Sequence, residues 1–368
     1  MTVDTAVIGA GPAGLATSRE LKRRGVPHVV LERGDRIGHT WAHLYDSLVL
    51  HTGKHLSALP GLRFPASTSL FPTRLDFLDY LDRYAATFQL PVQTRVDVIR
   101  VERQSDWWHL WTAEGEAVRA RAIVVATGTV SNPTVPLTPD RNVFAGRVRH
   151  SVEYKNAAGL TGRRVLVVGV GNSAGEIAAE LSRAGARVVL AVRSGATVVP
   201  RQVLGIPIQY LTIPLGYLPW GLQRSLATLV GRAAAVVRGK SVLPPHRAGS
   251  CARVPLIGFH LTDEVRRGAI QIKGAIACFL PGGVRFADGT SQPFDEVILA
   301  TGYRAAVGMF NGAVRVDACG FAQRTNRVAS ADLPNLYFVG HNPDVRGGLF
   351  TIGRDARLAA KLVRSCTS

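Results

Sequence analysis

The 368-residue chain is long enough for two or three domains with a sizeable buried core. Its hydrophobic content of 46% and charged content of 19% exclude a disordered protein. The net charge of +18 invites a nucleic-acid function, but the basic residues are scattered, without a run of four or more. We therefore expect no nucleic-acid partner and favour small anionic ligands bound by arginine.

The chain opens with a strand, a glycine loop, a helix and a second strand. Residues 5–9 predict a buried parallel strand, the next helix runs to about Arg24, and HVVLE ends a strand at Glu32. Gly9, Gly11 and Gly14 form a G-x-G-x-x-G pattern, 18 residues before this acid. The full context is typical of a dinucleotide site, with pyrophosphate at the helix N-terminus and Glu32 on a ribose. A glycine turn in an unrelated α/β unit is the alternative.

A second unit repeats this plan. RRVLVVG, 163–169, predicts a strand, and a helix follows over 173–184. Gly169, Gly171 and Ala174 form a G-x-G-x-x-A pattern between the two. The next strand ends in Arg193-Ser194 rather than an acid, and an arginine would bind a ribose 2′-phosphate that an acid would repel. The pattern favours NADPH; the alternative is a solvated Arg193 at a site that accepts NADPH or NADH.

The chain then returns to its first unit. The elements AIVVATG, 122–128, and EVILATGY, 296–303, each end an apolar strand with a small-residue turn beside a cofactor site. The last helix begins after Gly347-Gly348, where its N-terminus would face a flavin ring. The expected fold class is α/β, with two Rossmann-like dinucleotide-binding domains in three layers. An NADPH domain, 161–290, would be inserted in a discontinuous FAD domain, 1–160 plus 291–368.

The segment 203–265 is the expected substrate-side segment. Residues 203–220 carry no charge, but three prolines and two glycines argue against a membrane-spanning helix. An apolar wall of the substrate pocket is the preferred interpretation, and core packing and weak membrane contact are the alternatives. The N-terminus does not resemble a signal peptide, and the four cysteines form no CxxC pair, so a reduced, cytoplasmic protein without a metal is expected.

A motif between the two units carries a resemblance. Phe144-x-Gly146-x-x-x-His150-x-x-x-Tyr154 resembles the fingerprint of class B flavin-dependent monooxygenases. The whole chain, through segments 31–60 and 71–85 among others, resembles the small flavin-containing monooxygenases, in particular the YUCCA-type enzymes that convert indole-3-pyruvate to indole-3-acetate. Tyr154 stands where Baeyer–Villiger enzymes usually have Trp, which argues against that subclass. His341 departs from many two-dinucleotide flavoproteins, which have Asp there for the ribityl chain.

The resemblance implies site residues. FAD would contact Gly9, Gly11, Gly14, Glu32, Thr40 and Trp41, and NADPH would contact Gly169, Gly171, Asn172, Ser173, Arg193 and Ser194. The other cofactor-binding candidates are Pro12, Ala13, Arg33, Ala126, Thr127, Gly128, Ala174, Ala300, Thr301, Gly302 and Leu349. His51 and Lys54 are the catalytic candidates, and His51 would form hydrogen bonds near the flavin unless it is a structural histidine. His150 is expected to serve as a hinge and cofactor-positioning residue rather than as a base.

The resemblance also implies a reaction. NADPH would reduce FAD, and O2 would form a C4a-(hydro)peroxyflavin that oxygenates a small organic substrate. That substrate would be an aryl 2-keto acid such as indole-3-pyruvate, with decarboxylation, or an N or S nucleophile. The alternatives are an uncoupled NADPH oxidase that releases H2O2, a pyridine-nucleotide flavin reductase and a catalytically silent sensor. The sequence leaves open whether the chain forms a homodimer.

Overall fold

A computed structural model describes residues 1–215, 222, 241–244, 255–342 and 347–367. The chain divides into two compact units: Met1–Thr134 with Tyr303–Ser368, and Val135–Gly302. The second unit is thus inserted in the sequence of the first. The boundaries differ from the predicted ones, 1–160 with 291–368 and 161–290, because residues 135–160 and 291–302 belong to the inserted unit.

The first unit is built on a seven-stranded sheet. Its parallel part contains, in spatial order, β3 (Val92–Gln93), β2 (His28–Leu31), β1 (Thr2–Ile8), β6 (Gly115–Val125) and β19 (Leu336–Phe338). The first half of β6 also pairs with β5 (Trp107–Thr112), which pairs with β4 (Arg100–Gln104), both antiparallel. The parallel strands bring the ends of β1 and β6 to one edge, where the first glycine loop begins.

Five helices of the first unit are described: α1 (Pro12–Lys22), α2 (His39–Ala42), α3 (Lys54–Ser57), α4 (Arg74–Thr87) and α8 (Gly348–Thr367). A short 3-10 helix spans Gly308–Phe310. Helices α1, α4 and α8 contribute apolar residues to one core together with β1 and β6. A second core contains Trp108, Phe310 and Phe338 together with other residues of β1, β2 and β6. The sheet is therefore covered on both faces, which explains its continuous apolar strands.

The second unit has a five-stranded parallel sheet in the order β14-β9-β8-β18-β7. The strands are β14 (Ile270–Lys273), β9 (Arg187–Ala191), β8 (Arg164–Val168), β18 (Glu296–Leu299) and β7 (Arg147–His150). A separate antiparallel sheet contains β15 (Ile276–Leu280), β16 (Gly283–Phe286) and β17 (Ser291–Pro293). The motif Phe144–Tyr154, which the sequence places between the two units, therefore contains β7, an edge strand of this unit.

Shorter elements complete the described part of the second unit. Strand β10 (Val198–Val199) pairs with β13 (Leu256–Ile257), and β11 (Gln202–Val203) forms a hairpin with β12 (Ile206–Pro207). The helices are α5 (Asn172–Arg183), α6 (Ile208–Leu215) and α7 (His260–Arg266), and 3-10 turns span Arg141–Val143 and Ser151–Glu153. Most of the predicted substrate-side segment, 203–265, lies outside the described residues.

Two sequence expectations concern surface and redox properties. Among the described residues, no helix combines the length and apolar character needed to cross a membrane. Cys278 and Cys366 are free thiols, whereas Cys319 is disulfide-bonded. The expectation of reduced cysteines is therefore wrong at Cys319.

Candidate functional site

The first glycine loop joins β1 to α1. Gly9 has a φ of 106°, and a Cβ there would lie 2.6 Å from the Ala126 carbonyl oxygen. A Cβ on Gly14 would lie 1.8 Å from the Gly9 carbonyl oxygen, whereas one on Gly11 would meet no atom within 4 Å. No side chain caps the first turn of α1. The loop therefore leaves space and backbone N–H donors for an anionic group, which fits a dinucleotide pyrophosphate.

Glu32 is fixed beside this loop. Its Oε2 accepts a hydrogen bond from the Ala10 N–H at 2.8 Å, and its Oε1 accepts one from the Gly34 N–H at 2.9 Å. Its side chain is buried, with 7% exposure. Each carboxylate oxygen can accept a further bond, so a ribose hydroxyl fits here. The adjacent Arg33 is exposed.

Thr40 and Trp41 lie in α2, which begins next to the loop. The Gly38 N–H, at the start of α2, donates to the Ala10 carbonyl at 3.0 Å. Trp41 then packs edge-on against Phe77 of α4, with ring centroids 4.6 Å apart. The first glycine loop and α2 are thus held together, as a shared cofactor site requires.

The two catalytic candidates have different surroundings. The Lys54 ammonium donates to the carbonyls of Ala66 and Thr68 at 2.8 and 2.5 Å. Lys54 therefore holds the loop 65–68, which is a structural role. His51 is half-buried and precedes Thr52. A Cβ on Gly347 would lie 2.6 Å from Thr52 Cγ2, so the loop before α8 packs on this turn. His51 thus lies near the helix terminus that leads to Leu349, the predicted flavin side.

The second glycine loop repeats the first. Gly169 has a φ of 119°, and a Cβ there would lie 2.4 Å from the Ala300 carbonyl oxygen. A Cβ on Gly171 would meet no atom within 4 Å, and Ala174 is fully buried. Both turns that sequence reasoning placed near cofactors, 126–128 and 300–302, therefore serve first as the surfaces on which the glycine loops pack.

The residues predicted to hold NADPH divide into two groups. Arg193, two residues beyond β9, is exposed, and within the described ranges no hydrogen bond or ion pair is found for it; Ser194 is half-buried. Asn172 instead has both side-chain amide atoms engaged. Its Oδ1 accepts from the Ile257 N–H at 2.8 Å, and its Nδ2 donates to the Pro255 carbonyl at 3.2 Å. Its neighbour Ser173 is half-buried.

The fingerprint begins in the core of the second unit. Phe144 is buried, and its ring centroid lies 5.5 Å from that of Phe279. A Cβ on Gly146 would lie 2.5 Å from the Phe144 ring and 2.7 Å from the Asp295 carbonyl oxygen. Glycine is therefore needed at position 146 because the chain that enters β7 lies very close to its neighbours.

His150 ends β7 and is 3% exposed. Its ring Nδ1 accepts a hydrogen bond from the Val152 backbone N–H at 3.3 Å. The backbone N–H of His150 donates to Glu153 Oε1 at 2.9 Å. Burial lowers the pKa of His150, and the Gly302 carbonyl and Glu153 partly offset this effect. The imidazole is therefore neutral at pH 7 and borders the turn on which the second glycine loop packs. This geometry suits a positioning residue.

Tyr154 ends the fingerprint in a buried polar cluster that sequence reasoning missed. The Arg149 guanidinium lies 5.3 Å from the Tyr154 ring centroid and forms an ion pair with Glu296. Burial, and then the Glu180 carboxylate of α5, raises the pKa of Tyr154, so its hydroxyl stays protonated. Arg149 and Glu296 lie on the adjacent strands β7 and β18, and only this pairing could have identified them.

His341 follows β19 and is completely buried. Its ring centroid lies 5.2 Å from that of Phe338 and 6.3 Å from that of Phe321. Within the described chain, neither ring nitrogen has a hydrogen-bond partner. Burial, with a smaller effect of the Arg324 charge, lowers the pKa of His341 to about 3. His341 therefore stays neutral at physiological pH.

Comparison with known proteins identifies the class. Residues 3–321 match the flavin-binding monooxygenase-like family. Indole-3-pyruvate monooxygenase YUCCA1 of Oryza sativa subsp. japonica is 33% identical, over 94% of this chain and 85% of the relative. YUCCA4 of the same organism is 37% identical, over 82% of this chain and 74% of the relative. A flavin-containing monooxygenase structure from Stenotrophomonas maltophilia has a TM-score of 0.78 at 27% identity, covering 99% of this chain and 98% of that one.

A more distant structure shares the fold. Cyclohexanone monooxygenase from Rhodococcus sp. Phi1 has a TM-score of 0.74 at 19% identity, covering 99% of this chain and 84% of that one. The predicted two-domain, Rossmann-type α/β fold is confirmed. The chain belongs to the flavin-binding monooxygenase-like family and is a flavin-dependent monooxygenase. Its cofactors are FAD and NADPH, as the sequence predicted.

Proposed function

We propose that the first unit binds FAD and the second binds NADPH. The observation that carries this assignment is the duplicated loop: in each unit a Cβ on the middle glycine, Gly11 or Gly171, would meet open space. An uncapped helix begins directly beyond each of these glycines. The carboxylate of Glu32 suits the unphosphorylated ribose of FAD, and the exposed Arg193 suits the 2′-phosphate of NADPH.

We propose that the enzyme uses O2 to oxygenate an aryl 2-keto acid such as indole-3-pyruvate, with loss of CO2. Support comes from relatives named indole-3-pyruvate monooxygenases, which are 33% and 37% identical over most of this chain. Bound flavin supplies hydride acceptance and O2 activation. The chain itself has to bind and orient the two cofactors and exclude water from them.

Within the first unit, His51 is the residue proposed to form hydrogen bonds beside the flavin. Its neighbour Thr52 contacts the loop that precedes α8, and the uncharged start of this helix would stabilise negative charge on the flavin. Lys54 is assigned to loop support, because its ammonium already donates to backbone carbonyls. Leu349 would pack against the ring from the first turn of α8.

Two matched glycine variants test the placement of the cofactors. Gly11→Ala and Gly171→Ala each add a methyl group where the protein has no atom within 4 Å, so neither should unfold its unit. Gly11→Ala should lower FAD affinity at least tenfold, and Gly171→Ala should keep FAD but weaken NADP⁺ binding at least tenfold. Gly282→Ala, at an equally open position, is the control. Loss of NADP⁺ binding in Gly11→Ala with FAD retained would reverse the assignment.

The substrate class needs a separate experiment. Purified enzyme should be yellow, and its flavin absorbance should bleach when NADPH is added without O2. Indole-3-pyruvate, phenylpyruvate, an amine and a sulfide are then compared by product mass and by the NADPH consumed per product formed. The proposal expects decarboxylated, oxygenated products from the two keto acids. NADPH consumption that yields only H2O2 with every compound would favour the oxidase alternative.

A further inference from the structure

The two ends of residues 200–255, which include most of the predicted substrate-side segment 203–265, meet on the second glycine loop's helix. The chain leaves through β10 and returns through β13, which pair in parallel, Val198 with Leu256 and Val199 with Ile257. Two flanking backbone bonds extend this ribbon: Leu256 N–H to Thr197 carbonyl at 2.9 Å and Gly258 N–H to Val199 carbonyl at 2.8 Å. This ribbon therefore joins the two ends of the stretch 200–255.

The ribbon is fastened to the first two turns of α5. Asn172, the first residue of α5, holds it by two hydrogen bonds, from the Ile257 N–H and to the Pro255 carbonyl. One turn later, a Cβ on Gly175 would lie 2.8 Å from Leu256 Cδ1, so glycine admits this leucine against the helix. Leu256 is 1% exposed. The side of the helix that does not face the glycine loop's open space is therefore occupied by β13.

We propose that Asn172 is a positioning residue that transmits dinucleotide binding to the ribbon and so to the substrate-side segment. The inference rests on the proposed NADPH site and goes further, because it assigns Asn172 to coupling rather than to cofactor contact. Asn172 directly follows Gly171, the glycine that faces open space. A pyrophosphate on the loop would fix the first turn of α5, and the Asn172 amide would carry this order to Ile257.

The coupling between loop and ribbon arises because the two share one cost of ordering. A two-residue ribbon such as β10–β13 has few hydrogen bonds of its own, so its backbone opens readily unless its neighbours hold it. Each of the two amide bonds adds stability only while the first helical turn is in place. A ligand that orders this turn therefore also lowers the opening probability of the ribbon, and the coupling is reciprocal. Binding at the ribbon side would strengthen dinucleotide binding by the same factor.

Hydrogen exchange of the FAD-loaded enzyme, with and without saturating NADP⁺, tests the inference directly. In the natural protein, NADP⁺ should slow exchange at least threefold both in the loop 169–175 and at the ribbon amides 256–258. In Asn172→Ala the slowing should persist in the loop but fall below 1.5-fold at the ribbon. Gln202→Ala, an exposed residue of the nearby β11 hairpin, should behave like the natural protein.

The possible outcomes separate the proposals. A residue that merely stabilised the fold would raise ribbon exchange equally with and without NADP⁺, leaving the protection ratio unchanged, and this would overturn the coupling role. Ribbon amides that NADP⁺ does not protect in the natural protein would overturn it as well, even if Asn172→Ala fails to fold. Absent protection at 169–175 would instead remove the dinucleotide site itself, and the coupling with it. Coupling also predicts that in Asn172→Ala the mutual strengthening of NADP⁺ and keto-acid binding is lost, so that each ligand's affinity in the presence of the other falls by the same factor.

Discussion

Protonation of His341 opposes folding of the first unit. The folded protein holds the ring in full burial between Phe338 and Phe321, and in the described structure neither ring nitrogen has a partner that would favour the charged form. Burial and the nearby Arg324 charge lower the pKa from 6.5 to about 3. A histidine in an unfolded chain keeps the ordinary value, so only the unfolded state gains a proton in the interval between them.

The sign and size of the effect follow from these two values. Because the folded-state pKa is depressed, titration of His341 does not reduce the free energy of unfolding above pH 7.5. Stability is lost as the pH falls from about 6.5 toward 3. Between pH 7.5 and 5.0 the loss from this residue is about 2 kcal/mol. The first unit has 134 + 66 = 200 residues, for which 2 kcal/mol corresponds to a fall in Tm of about 4–8 °C.

Thermal unfolding of the FAD-loaded enzyme, followed by flavin fluorescence, measures this loss. His341→Leu should lose about 4–8 °C less than the natural protein between pH 7.5 and 5.0. At pH 7.5 it should be at least as stable, because two unpaired buried nitrogens are gone. Comparing the two pH-dependent changes cancels the contributions of half-buried His28 and buried His150, whose pKa values are also lowered. His55→Leu, at an exposed position, is the control. Equal acid sensitivity of His341→Leu and the natural protein would refute the reasoning.

Four further substitutions follow from the geometry. Arg193→Ala should weaken NADPH at least tenfold and NADH little, measured by anaerobic flavin reduction; equal losses would remove the 2′-phosphate assignment. Gly14→Ala should abolish FAD loading, seen as flavin content, because its Cβ would lie 1.8 Å from the Gly9 carbonyl oxygen. Lys54→Met should lower Tm and leave the pH profile of kcat unchanged, whereas a shifted profile would restore a catalytic role. Tyr154→Phe keeps the contact with Arg149 and should cost about 1 kcal/mol of stability without changing NADP⁺ affinity.

The glycine loops were predictable because their requirements are local. A left-handed φ at Gly9 or Gly169, and a helix beginning three residues later, depend on neighbours in sequence. The strands that precede the two loops, β1 and β8, overlap the predicted runs 5–9 and 163–169, although β1 begins earlier, at Thr2. The same locality explains why the start of the last helix, α8, was predicted to within one residue, since the helix begins at Gly348 rather than after it.

The membership of β7 was not predictable in this way. Its partner β18 lies about 150 residues further on, so only the folded structure shows that Arg147–His150 and Glu296–Leu299 share a sheet. The buried pair Arg149–Glu296 follows from that pairing. Asn172 illustrates the same limit, because its partners Pro255 and Ile257 are more than 80 residues away.

The duplicated loops differ at one position that separates their tasks. Gly11 and Gly171 have nearly the same backbone conformation. Each is the N-cap residue of its helix, and in neither helix does a side chain cap the first turn. The next residue is Pro12 in the first unit and Asn172 in the second. Proline at the first helical position fixes the turn by itself and offers no side-chain hydrogen bond, which suits a cofactor that stays bound. Asparagine leaves the turn to be ordered by its ligand and reaches the ribbon, which suits a dinucleotide that arrives and departs. Asn172→Pro should therefore leave NADP⁺ binding to the loop in place and remove the protection of the ribbon amides.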